Sequence, residues 1–346
     1  MRTLQLRIGL CALVGLFLLG NLRYVKPAYA QSVADFYKGK RITWICPFSP
    51  GGGYDAWSRV MAPSVEKHTA ATVIVKNMPG GSGLVGSNYM YTKAKRDGRT
   101  IGITQSFTMV IDQLLGNPAV KYDFTKFTWL GRVSTDDYVF SVGKDSPYKS
   151  LQDIKAASDF KIGLDSRTAV NGAGVTAFCL ASGLKNARVV AGYAGSSEVK
   201  LAILGGEVHG SSTSIGSQWK MLEAGQLVPV AIIGKERSKA LPDVPTIYEL
   251  NPNMPPETRK WVDRLVKLED CGRAVMAPPE LPQDKARFLT EAVLKAVKDP
   301  EVVSKLEKQQ RYVVYLPPAE YLNELKSLEL TQEEKAKLKH LLLEAY

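Results

Sequence analysis

The 346-residue chain is poor in histidine and cysteine, with three of one and four of the other. His68, His209 and His340 lie far apart in sequence, which leaves a histidine-based metal site or a Ser-His-Asp triad little material. No cysteine pair has C-x-x-C or zinc-ligand spacing, and so few cysteines cannot staple a mini-fold. Beyond residue 30 no apolar run approaches the roughly 20 residues that cross a bilayer. Glycine follows no triplet period, which excludes a collagen-like fibre. Charged residues make up 23% and hydrophobic residues 45%, so the chain can bury a sizeable core and does not read as disordered.

The first thirty residues stand apart. Arg2 and Arg7 precede an apolar run at 8–19, and Ala28-Tyr29-Ala30 supplies a small-x-small pattern. This reads as a secretory signal cleaved near Ala30, because the apolar run is too short to span a membrane. It places the mature chain in the periplasm. Residues 1–30 hold four basic and no acidic residues, so the remainder keeps a net charge of +7 from the +11 of the whole. Lysine and arginine are scattered, apart from Lys93, Lys95, Arg96 and Arg99 and a mixed-charge C-terminus; the expected partners are small anions and not nucleic acid. Cys46, Cys179 and Cys271 remain, which allows at most one disulfide.

Strand-like runs at 42–48, 71–76 and 100–104 alternate with helical patterns at 55–68 and 87–95. A second unit follows, with strands at 138–143, 161–164, 188–191 and 228–233. Its helices are expected from Ser150, where Asp153 completes a capping box, and at 174–183 and 197–204. The alternation predicts an α/β chain built on mixed, mostly parallel sheets flanked by helices. Residues 241–256 hold five prolines and read as an irregular connection. Helical patterns at 257–268, 283–298, 300–309 and 318–344, with a short strand at 311–316, complete the chain.

Pro47-Phe48-Ser49-Pro50-Gly51-Gly52-Gly53-Tyr54-Asp55 joins a strand to a helix. Glycines let a ligand approach the backbone, and the free N–H groups of a helix start attract anions; the same run could equally be a tight turn capped by Asp55. A P-loop is excluded, since no Gly-Lys-Ser/Thr follows. Gly81-Ser82-Gly83-Leu84-Val85-Gly86 matches G-x-G-x-x-G, but the acidic residue expected after the next strand is absent: Asp97 precedes that strand, and Gln105 and Ser106 follow it. An exported NAD(P)-dependent enzyme using this loop is the alternative reading. Small polar loops recur at 105–106, 134–137, 165–168, 192–196 and 211–214. Converging at strand ends, they would line a cleft rich in hydroxyls and poor in general bases, which favours binding over catalysis, with no cofactor and no metal.

The stretches 47–55 and 75–83 together resemble the substrate-binding proteins of tripartite tricarboxylate transporters, the Bug proteins. Asp97-Gly98-Arg99-Thr100-Ile101-Gly102, Gly192-Tyr193-Ala194-Gly195-Ser196, Leu204-Gly205-Gly206-Glu207-Val208 and Ala240-Leu241-Pro242-Asp243-Val244-Pro245-Thr246 continue the likeness in order. The resemblance implies a two-lobed, type II-like periplasmic binding protein. It would act as a monomer, close on a small organic carboxylate and dock transiently on membrane permease subunits, without catalysis; a partner sensor is the other possibility. It also implies a first lobe of residues 31–133 and 235–346 and a second of 134–234, with hinges near Val133-Ser134 and Gly234. Ligand contacts from the first lobe fall on Ser49, Gly52, Gly53, Asp55, Gly81 and Ser82, with Tyr54 and Ser106 beside them. The second lobe would contribute Ser166, Arg167, Thr168, Tyr193 and Ser214. The chain departs from the family pattern at 165–171, where Asp165 and Arg167 replace a glycine-rich loop. Arg167 either pairs with a second ligand carboxylate or binds Asp165. Tyr54 and Trp57 either border an aromatic ligand or belong to the core.

Overall fold

A computed structural model describes residues 32–346, so the secretory signal read over 1–30 lies outside the described residues. Ten strands occur in the order β1 (Arg41–Cys46), β2 (Thr72–Asn77), β3 (Thr100–Gln105), β4 (Thr128–Ser134), β5 (Tyr138–Gly143), β6 (Phe160–Leu164), β7 (Ala187–Ala191), β8 (Gly210–Ser214), β9 (Leu227–Ile233) and β10 (Arg273–Ala277). They form two sheets of five, ordered β2-β1-β3-β10-β4 and β7-β6-β8-β5-β9. In the first, β1 runs parallel to β2 and β3, while β10 is antiparallel to both neighbours. In the second, β6 runs parallel to β7 and β8, while β5 is antiparallel to β8 and β9. Each sheet is therefore mostly parallel, with one reversed strand in its fourth place.

Parallel strands covered on both faces need near-continuous apolar sequence. In β1, Ile42, Trp44, Ile45 and Cys46 are all buried. The helix Gly53–Thr69 turns Trp57, Met61 and Val65 onto that sheet at helical spacing, in a core shared with Leu289, Val293 and Ala296 of the helix Gln283–Lys298. The second core is centred on the helix Val170–Ser182, where Phe178 stacks on Phe140 of β5 with centroids 3.9 Å apart. The Ser150–Asp153 capping box forms as its spacing predicts, and Thr246–Glu249 and Thr331–Glu334 form two more.

The path between the sheets differs from the expected one. The chain leaves the first sheet after Ser134, but it re-enters at Arg273 and not near Gly234. Residues 235–269 stay with the second sheet: the Ile232 amide donates to the Pro245 carbonyl (2.8 Å), and the Asn251 side chain donates to the Ala181 carbonyl (2.9 Å). Trp261, Leu265 and Leu268 of the helix Pro256–Glu269 bury against the helix Val170–Ser182. The apolar face of the helix Pro256–Glu269 is covered by the helix Val170–Ser182. The two crossings press together. Gly272 has φ +62°, and a Cβ on it would stand 2.0 Å from the Ser134 carbonyl oxygen, so no larger residue fits.

Two further expectations change. Residues 211–214, read as a loop, form most of β8 in the middle of the second sheet. Residues 311–316, read as a strand, make only an isolated bridge between Leu316 and Arg132. Cys46, Cys179 and Cys271 are buried and unpaired with one another.

Candidate functional site

The carboxyl ends of β1, β3, β6 and β8 face one another across the gap between the sheets. There a cavity of ≈ 40 Å³ opens, room for a few water molecules. The first sheet supplies Phe48, Ser49, Gly52, Gly53, Tyr54 and Arg273 to its wall, with Gln105 at the end of β3. Across from them stand Tyr138, Asp165, Asn171, Thr213, Ser214 and Ser217.

The two lobes are in contact around this cavity. Ser82 Oγ donates to Asp165 Oδ2 at 2.5 Å, and Thr168 Oγ1 donates to Asp112 Oδ1 at 2.7 Å, so hydroxyl and carboxylate are exchanged in both directions. At the mouth, Ser49 Oγ reaches Glu198 and Ser197 Oγ reaches the Pro50 carbonyl, each at 3.5 Å. The arrangement is a closed one.

Arg273 opens β10 and is 2% exposed. Its guanidinium lies 4.1 Å from the centre of the Tyr54 ring, which also stacks on Phe48 at 4.6 Å. Nη2 donates to Ser214 Oγ (3.1 Å), and Nε sits 2.7 Å from Asp136 Oδ2 as a contact of charges. Among the described residues Nη1 has no hydrogen-bond partner. Burial alone would lower the basicity of Arg273; Asp136, with Tyr54 and Tyr138, more than reverses this, so the group stays charged. Gly53 makes the approach possible. A Cβ there would lie 2.4 Å from Ser217 Oγ and 3.2 Å from Arg273 Nη2.

The same corner carries the start of the helix Gly53–Thr69. Its N-cap is Gly52, which offers no side-chain cap to the first-turn amides. Asp55 sits in the first turn, and its carboxylate is occupied by the Gly51 amide, Arg59 Nε and Asn77 Nδ2, all at 2.9 Å. Burial works against that charge and these donors outweigh it, so the Asp55 pKa lies below the usual carboxylate value. Behind the corner, Lys200 Nζ donates to the Ser217 carbonyl (2.6 Å), and the nearly buried Arg311 keeps Nε without a partner. Burial, then the charge of Arg311, pushes Lys200 down to about 8. Burial, then Arg273, pushes Arg311 down to about 10.

Of the residues singled out from sequence, the structure brings Ser49, Gly52, Gly53, Tyr54 and Ser214 onto the cavity. Asp55 supports the glycine turn from behind. Gly81 and Ser82 belong to a turn in which residues 80–83 all have positive φ, and Ser82 reaches the site through Asp165. Ser106 is fully buried beneath Gln105. Ser166 and Thr168 bond each other at 3.1 Å beside the cavity. Tyr193 donates to Glu207 (2.6 Å) at the surface. Arg167 faces away, in a small pocket with Val175, Leu342 and Tyr346, and forms no ion pair with Asp165. Trp57 is core, whereas Tyr54 is both stacked and cavity-lining. The glycines of 81–86 serve close packing: a Cβ on Gly86 would meet Pro47 Cβ at 2.7 Å. Asp136 and Asn171 fall within the stretches 134–137 and 165–171 read from sequence, whereas Arg273, Lys200 and Arg311 were not singled out.

Two α/β lobes closing on a charged cavity define a two-lobed periplasmic binding protein. The periplasmic binding protein BugD shares the architecture, with a TM-score of 0.73 at 19% identity over 89% of this chain and 98% of that one. So does R. palustris Rpa4515 with adipate, with a TM-score of 0.72 at 21% identity over 88% and 97%. The chain is 30% identical over 281 residues to the UPF0065 protein in the tcbD-tcbE intergenic region of Pseudomonas sp. (strain P51), covering 79% of each. Residues 57–344 match the tripartite tricarboxylate transporter family receptor, and the chain belongs to that family.

Proposed function

We propose that the protein captures a small organic carboxylate between its lobes in the periplasm and hands it, unchanged, to membrane permease subunits. One observation carries the reading: Arg273, buried and charged, keeps Nη1 unpaired beside the uncapped helix start at Gly53. A buried cation donor left unpaired is costly, and a carboxylate seated there would accept from it and from the first-turn amides together. The ligand-bound relative with adipate, similar in fold, supports the same class of solute. Membership of a transporter receptor family supports delivery over conversion.

Thermal unfolding with a panel of carboxylates tests this. An acid at a hundred times its dissociation constant is expected to stabilise the protein by about 2.7 kcal/mol, and NAD(P) to leave it unmoved. Arg273→Lys keeps the charge but loses the fork, and is expected to weaken binding by about 1.5–3 kcal/mol. If no acid stabilises the protein, or only a dinucleotide does, the reading fails.

A further inference from the structure

The cavity has two electrical poles. At one stand Arg273 and the helix start at Gly53, backed by Lys200 through Ser217 and by Arg311. At the other stands Asp165, 8% exposed, with Asn171 next to it on the same wall. Tyr54 lies within electrostatic reach of both, its hydroxyl acted on by Arg273 and by Asp165. Asp165 has donors of its own, Ser82 Oγ on Oδ2 at 2.5 Å and the Ser166 amide on Oδ1 at 2.9 Å; burial raises its pKa above the usual carboxylate value, and Ser82, the Ser166 amide and the Asn171 side chain oppose that rise. A carboxylate offers about four lone-pair sites, so acceptor capacity remains at Asp165, which lines the cavity.

From this we infer that the protein selects a monocarboxylate bearing a hydrogen-bond donor, an ammonium or a hydroxyl, at its far end, with Asp165 as the residue that reads it. The carboxylate of such a solute goes to the Arg273 pole, and its donor satisfies Asp165. A solute with a second carboxylate in that place would set two carboxyl groups side by side in a cavity with room for only a few water molecules, where both cannot ionise without heavy cost. A plain alkyl end would leave the buried Asp165 without a further partner. The identity of the solute's far group thus follows from one side chain in the loop after β6.

This inference rests on the carboxylate reading above, and the experiment separates the two. Calorimetric titration would use matched sets of acids of two to six carbons, each set sharing a chain and differing only in a terminal ammonium, hydroxyl, methyl or carboxylate. The expected result is that the ammonium or hydroxyl member of the best-fitting set binds at least tenfold tighter than its methyl and carboxylate counterparts. In Asp165→Asn, which keeps the shape and an acceptor for Ser82, the ammonium member is expected to lose at least tenfold and the dicarboxylate to gain. Circular dichroism and the unfolding temperature confirm that the variant is folded. A preference for dicarboxylates in the native protein, left unchanged by Asp165→Asn, overturns the inference while leaving carboxylate capture intact. Absence of binding by every acid in every set overturns both.

Discussion

Gly53 has an ordinary helical backbone, so alanine there would carry no conformational penalty and would even favour the helix. What it lacks is room: its Cβ would press on Ser217 Oγ and the Arg273 fork. Gly53→Ala is therefore expected to leave the unfolding temperature within a few degrees of the native value while weakening carboxylate binding at least tenfold, as titration would show; tight binding by this variant would place the anion elsewhere. The glycine run was legible as an anion site from its position between strand and helix. Arg273 was not, because an arginine opening the short apolar run Arg273–Ala277 looks like any charged residue at the edge of a strand. Its meaning depends on Asp136 and Tyr54, which lie 137 and 219 positions away in the chain and meet it only after folding. Arg167 shows the converse. Its place in a loop near the cleft suggested a role, but folding sets it instead in a pocket with Val175, Leu342 and Tyr346, residues 8 to 179 positions further along the chain.

At the level of elements, the helices Ser196–Leu204 and Ile215–Glu223 meet where Lys200 donates to the Ser217 carbonyl. Burial holds the folded pKa of Lys200 near 8, below the ordinary 10.5. Below that pH the ammonium adds to the positive field at the anion corner; above it the charge is gone. Carboxylate affinity is accordingly expected to fall severalfold as pH rises from 7 to 9, and Lys200→Gln to flatten that fall; an unchanged slope in the variant would acquit Lys200. Most strands were readable because parallel pairing demands apolar runs, and β1, β3 and β6 have them. β8 escaped notice for a physical reason. Its sequence Gly-Ser-Ser-Thr-Ser has no apolar side chain, and its place in the sheet is fixed by pairing with β5 and β6 and not by its own character.

At the scale of the whole molecule, two hydroxyl–carboxylate bonds on opposite loops, Ser82 to Asp165 and Thr168 to Asp112, join the lobes beside the contacts of Ser49, Ser197 and Arg273. Removing both hydroxyls with Ser82→Ala and Thr168→Val leaves two buried carboxyls short of a donor only while the lobes are shut. The double variant is expected to shift the balance toward the open form by about 2 kcal/mol, since each such bond contributes about 1 kcal/mol. Small-angle scattering without ligand should show a larger radius of gyration than for the native protein, and equal radii would mean that the ligand and Arg273 alone hold the lobes together. The two-sheet architecture was legible from alternating strands and helices, while the return crossing was not. It depends on Trp261, Leu265 and Leu268 finding a partner in the second lobe. The late arrival of β10 between β3 and β4 also orders events during synthesis. When a ribosome has made about 240 residues, every strand of the second sheet exists, yet the first still waits for its fourth. The half of the molecule made first is thus the half completed last, and the anion corner cannot assemble until Arg273 has emerged.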